Sequence, residues 1–202
     1  MALRAISIEA EPAATNLVTN GGFETDTTGW AAQGAGAVIS SEAVADAPFG
    51  ARVLRITGAT STNARAVDSA SIPNPAQGVV YTAQARIRAA NAGAVGLVGL
   101  VQLEEQGGAQ GNQSTLTPVT LTAEWQYATV TRTVAQADRT VLAVYVGVFD
   151  AAVVGTDQIE VDGVQAELGP VATPYIETNG GTASRTATTV RGSLNGSRGN
   201  IR

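Results

Sequence analysis

The sequence has no cysteine, no histidine and no lysine in 202 residues; all twelve basic residues are arginine. Each absence excludes chemistry. Without cysteine there is no disulfide, no thiolate nucleophile and no zinc–thiolate site. Without histidine the commonest general base and transition-metal ligand are missing, so a Ser-His-Asp triad is impossible. Without lysine there is no Schiff-base chemistry and no phosphate-loop lysine. Aromatics make up 4% of the chain and charged residues 14%, the latter well below the usual quarter. No apolar run approaches the roughly 20 residues that span a bilayer, so no membrane partner is expected. Residues 1–15 hold one Arg and no long apolar stretch, so a secretory leader is not expected and cytoplasmic synthesis is. What remains is carboxylate-only catalysis or a hard, oxygen-ligated cation such as calcium.

What is present is the composition of a β-rich chain. There are 23 glycines, and Ala, Val and Thr are abundant, which suits packed, pleated segments and not a disordered chain. From residue 16 to about 169, short apolar segments recur between Gly, Pro, Asn and Asp. That spacing predicts an all-β antiparallel sandwich or barrel. Strands are expected at 37–41, 51–57, 79–89, 95–103, 125–134, 141–149 and 159–168. Within 79–89, Tyr81, Ala83, Ala85 and Ile87 share one face, and Gln84, Arg86 and Arg88 the other. Segments 95–103 and 141–149 are apolar on both faces and are expected at sheet centres. Helical periodicity is nowhere sustained over three turns. The expected division is an N-terminal arm (1–15), a sandwich domain (16–169) and a C-terminal arm (170–202).

The run from Asn16 to Glu24 (NLVTNGGFE), followed by Gly29 and Trp30, resembles the opening of carbohydrate-binding modules with the galactose-binding-like jelly-roll fold. Segments 51–57, 81–89, 124–131 and 159–169 are similar, in order, to that family's later strands. The resemblance implies a jelly-roll β-sandwich that stacks sugars on exposed Trp or Tyr. It also implies a structural calcium at the matching positions, Glu24 and Asp162. Phe23, Trp30 and Trp125 are expected as core anchors. Tyr81, Tyr127 and Tyr145 lie within predicted strands and are expected to be buried, leaving Phe49, beside Pro48, as the freest aromatic. Gln84, Gln102, Arg86 and Arg88 are available to line a binding face. This scarcity of free aromatics argues against a glycan platform.

The segment PVATPYIET (170–178) and the stretch ASRTA (183–187) resemble the segments C-terminal to such modules in bacteriophage minor tail and other minor virion proteins. That resemblance implies a virion structural protein, a minor tail or tail-tip component. Capsid decoration and host-surface glycan attachment are the alternatives. The implied partners are other virion proteins and further copies of the same chain.

Charge is divided along the chain. All seventeen acids and eight arginines fall within 1–178, a balance of −9, whereas 179–202 carries four arginines and no acid. Those four, Arg185, Arg191, Arg198 and Arg202, have no interleaved aromatics, which argues against nucleic acid. They are read as an arm that docks on an acidic partner surface. Glu104 and Glu105 are adjacent on a strand and point to opposite faces, so they make no catalytic pair. A non-enzymatic role is therefore expected.

Overall fold

The computed structural model describes residues 11–58, 62–70 and 72–187. Among these, the strands are Ala14–Asn16 (β1), Trp30–Gln33 (β2), Val38–Ala43 (β3), Arg52–Thr57 (β4), Asn63–Asp68 (β5), Val80–Ala89 (β6), Val98–Gln106 (β7), Gln113–Thr120 (β8), Gln126–Thr133 (β9), Val141–Phe149 (β10), Gln158–Leu168 (β11) and Ala183–Arg185 (β12). Two five-stranded antiparallel sheets, ordered β2-β5-β10-β7-β8 and β3-β4-β11-β6-β9, form a β-sandwich, and β1 pairs with β12 in a separate ribbon. The architecture is the predicted all-β sandwich.

Alternation along the central strands builds the core. Leu142, Val144, Val146 and Val148 of β10 point inward and meet Tyr81, Ala83, Ala85 and Ile87 of β6 in one continuous buried cluster. Both apolar segments expected at sheet centres, β7 and β10, have a partner on each side. Phe23 and Trp30 are buried in the cluster with ring centroids 5.5 Å apart. The Trp30 indole donates to the Asn20 carbonyl at 2.8 Å. Trp125 corrects an expectation: it is half-buried at the surface, outside the core, and its indole donates to the Asp46 carbonyl.

Strands β1, β2, β5, β8 and β12 have no counterpart among the predicted ones. β5 (NARAVD) buries two alanines, Ala64 and Ala66, and the polar Asp68, and β8 is an edge strand carrying Pro118 and little buried surface. β7 starts three residues later than expected. Residues 92–94 first form a 3-10 turn capped by the Asn91 side chain, which accepts from the Ala94 N–H.

The opening motif and the closing strand fold as one unit. Asn16 is fully buried; its Oδ1 accepts from the Val18 and Ala166 N–H groups, and its Nδ2 donates to the Val164 and Ile176 carbonyls. Opposite β6, β11 carries one extra residue between Asp162 and Gln165, with Gly163 at φ 59°. Just past this bulge, the Val164 N–H donates to the Gly21 carbonyl at 2.9 Å, and a Cβ on Gly21 would collide with the Val164 carbonyl. Glycine is therefore required at position 21.

Neither arm, where described, extends away from the body. Residues 14–16 and 183–185 pair with each other, and Arg185 ion-pairs with Glu11 at 3.2 Å. Residues 1–10 and Arg191, Arg198 and Arg202 lie outside the described residues.

Candidate functional site

The outer face of the β3-β4-β11-β6-β9 sheet is polar, and much of it is covered. Its side chains fall in rows set by strand register. Glu160 lies opposite Arg88, Asp162 opposite Arg86, Gln165 opposite Gln84 and Glu167 opposite Thr82; β9 adds Tyr127 beside Arg86 and Thr129 beside Gln84.

The loop before β4 covers the first row. Arg88 pairs with Asp46 through two bonds (2.7 and 3.0 Å) and with Glu160 (2.8 Å), while Arg55 pairs with the other Glu160 oxygen. The Arg88 guanidinium lies 4.4 Å from the Trp125 ring centroid. Its hydrogen bond to Asp46 holds that carboxyl below its ordinary value.

The segment 170–178 covers the third and fourth rows. The Thr173 carbonyl accepts from Gln84 Nε2 at 2.7 Å, and the Thr173 N–H donates to Glu167 Oε1 at 2.6 Å. The Ile176 N–H donates to Gln165 Oε1 at 2.7 Å. Gln165 and Glu167 are buried polar residues that this segment satisfies. The PVATPYIET motif is thus a strap across the sheet.

Between loop and strap a cleft of about 400 Å3 remains open, lined by Phe49, Gln84, Arg86, Tyr127, Gly163 and residues 172–175. Tyr127 is 46% exposed. Its hydroxyl donates to Gln84 Oε1 at 2.6 Å, and burial raises its pKa above the ordinary tyrosine value. The Arg86 guanidinium sits 4.9 Å from the Tyr127 ring centroid and has no ion-pair partner among the described residues. A half-exposed ring, a five-donor guanidinium without an ion pair and a fixed amide suit a hydroxyl-rich ligand with a flat apolar face.

The expectation that Tyr127 is buried is corrected; Tyr81 and Tyr145 are buried. Phe49 is half-buried and contacts Tyr175, with ring centroids 4.4 Å apart. Gln102 lies on the other sheet, where it accepts from Arg65. A signal for Tyr127 lies in the sequence: it alternates in phase with Thr129 and Thr131, out of phase with Ala128 and Val130.

Glu24 and Asp162 are brought to one loop. The Ala51 and Arg52 N–H groups donate to Glu24, and the Phe49 and Gly163 N–H groups to Asp162. Burial pushes the Asp162 carboxyl up to about 7, and the charges of Glu24 and Glu177 add to the rise. A cation would relieve that repulsion. Among the described residues, however, no three acidic side chains group closely enough to hold one, so six to eight oxygens would have to include backbone carbonyls.

The family profile described as a carbohydrate binding domain matches residues 15–152. No curated protein matches the chain. Among solved structures, the CBM22-1 xylan-binding domain of Paenibacillus barcinonensis Xyn10C is similar at 20% identity and TM-score 0.61, over 82% of this chain and 100% of that one. The C-terminal family 22 carbohydrate binding module of Clostridium thermocellum Xyn10B is similar at 18% identity and TM-score 0.58, over 73% and 90%. The enzymatically active domain of tailspike protein 4 from bacteriophage CBA120 is similar at 13% identity and TM-score 0.53, over 76% of this chain and 21% of that one.

Proposed function

The chain belongs to the carbohydrate-binding domain family, and from this we propose that it is a non-catalytic glycan-binding module whose site is the cleft at Tyr127. The observation that carries this reading is the half-exposed Tyr127 ring, fixed through its hydroxyl to Gln84 and flanked by the uncommitted Arg86. Such a ring packs against the apolar face of a sugar, while the guanidinium and amide meet its hydroxyls. Xylan-derived oligosaccharides are the first probes, because xylan-binding domains share this fold. Isothermal titration and a glycan array should give binding that Tyr127→Ala weakens roughly tenfold. An array with nothing above background would defeat the reading.

A calcium ion at Glu24 and Asp162 is a further part of the proposal, supported by the raised Asp162 carboxyl. If bound, it would neutralise these carboxylates and tie the 49–52 loop to β11. An unchanged melting temperature on chelation would remove it.

A second reading places the module on a bacteriophage particle, as a minor tail or capsid-decorating protein assembled with other virion proteins. The resemblance of segment 170–178 to phage virion sequences supports it, and the tailspike domain shares the fold. Mass spectrometry of purified particles decides: absence of the chain would sink this reading and leave the glycan-binding one standing.

A further inference from the structure

Resting on the reading of the Tyr127 cleft as a saccharide site, we propose that it takes the end of a glycan chain and not an internal stretch. On the outer face of the sheet, the loop and the strap bound the cleft in both directions along the strands. Toward the Arg88 row, Asp46 is clamped by Arg88 and by the Trp125 indole, so the loop stands across the strands. Toward the Gln84 row, the strap stands across them, held at Thr173 by Gln84 and Glu167 and at Ile176 by Gln165 and Asn16.

The two walls also meet. Phe49 of the loop and Tyr175 of the strap touch at 4.4 Å between centroids, and Phe49 lies against Gly163 of β11. The cleft is therefore closed at its β11 side. It opens toward Tyr127 on β9, an edge strand. At about 400 Å3 it lies near the small end of the roughly 300–1,000 Å3 usual for ligand pockets. A polysaccharide crossing the sheet would have to displace the hydrogen bonds that hold the loop and the strap, whereas a chain terminus enters past Tyr127 without moving either wall. Sugars beyond the first few then lie outside the cleft and add little contact.

The test is a length series. Xylo-oligosaccharides and galacto-oligosaccharides from one to six residues are titrated calorimetrically. Parallel titrations use the intact polymers, before and after limited cleavage that multiplies chain ends. The expected result is affinity that plateaus by the trisaccharide, within about threefold of the hexasaccharide, and polymer capacity that rises with the number of ends. Affinity climbing tenfold or more from trisaccharide to hexasaccharide, or capacity indifferent to ends, overturns the proposal. Phe49→Ala opens the closed side. It should make affinity grow with length while the melting temperature stays within a few degrees; a length profile identical to the parent chain's also overturns the proposal. If no glycan of either class binds at any length, the parent reading falls and takes this one with it.

Discussion

The Tyr127 hydroxyl donates to Gln84 Oε1 at 2.6 Å, and the same amide donates through Nε2 to the Thr173 carbonyl at 2.7 Å. One nearly buried glutamine thus fixes both the exposed ring and the strap beside it. The two ends of the amide are distinguishable, because its donor faces a carbonyl and its acceptor faces a phenol.

Tyr127→Ala and Tyr127→Phe should therefore separate the ring from its hydroxyl. Removing a half-exposed ring costs little core, so Tyr127→Ala should lower stability by little more than about 1 kcal/mol, the worth of the lost hydroxyl bond to Gln84. Loss of stacking worth about 1–1.5 kcal/mol weakens glycan binding roughly tenfold. Tyr127→Phe keeps the ring and leaves Gln84 Oε1 without its donor; it should retain most of the affinity and cost about 1 kcal/mol of stability in urea. Equal affinity for the parent chain and Tyr127→Ala would remove the ring from the site.

The fold is more legible in the sequence than the site. The long central strands stand out because β7 and β10 are apolar on both faces, a pattern that burial on both sides demands. β5 is hidden because alanines fill its inner face, and β8 because an edge strand need bury little. The resemblance of NLVTNGGFE to a family opening identifies the motif, but its physical role lies in contacts with residues almost 150 positions away, which periodicity does not encode. The strap is hidden for the same reason: Gln84, Gln165 and Glu167 look like ordinary outward-facing polar residues until segment 170–178 is laid across them. Size alone places Trp125 in the core, whereas its partners are Arg88 and a loop carbonyl.

Asn16 is where that long-range role can be measured. Asn16→Ala removes four hydrogen bonds at a fully buried position and strands the Val18 and Ala166 N–H groups. With each unsatisfied buried group costing about 1–3 kcal/mol, a loss of roughly 3 kcal/mol or more is expected in urea unfolding. Hydrogen exchange should also speed up around Ile176, because one strap anchor is gone. A loss below about 1 kcal/mol would mean that the neighbouring backbone re-pairs.

Asp162 predicts a pH dependence of definite sign. Its carboxyl titrates at about 7 in the folded chain against an ordinary 3.8, chiefly through burial. Between those values the folded state holds a proton that the unfolded chain has released. The stability this group contributes therefore falls as pH rises from about 4 to 7, and is fully lost above that. In the presence of chelator, the parent chain should lose stability relative to Asp162→Asn across this window, with the gap constant above it. Millimolar calcium at a pH just above that window should recover the loss in the parent chain and not in Asp162→Asn. A difference that does not vary with pH would show that the carboxyl titrates in its ordinary range.

Gly163 links the bulge to the cleft through its contact with Phe49. At φ 59° an alanine is tolerated at a cost of about 1 kcal/mol, but its Cβ would intrude on the Phe49 ring. The ring must swing away, opening its contact with Tyr175 and straining the Phe49 N–H bond to Asp162. Gly163→Ala should therefore weaken binding of short oligosaccharides several-fold while lowering stability only modestly. The mechanism is separable by a double-mutant cycle. If Gly163→Ala acts by expelling Phe49, it should have almost no further effect on affinity in a Phe49→Ala background. If the two effects simply add, the bulge acts on the site by another route, and Phe49 is not the wall through which β11 shapes the cleft.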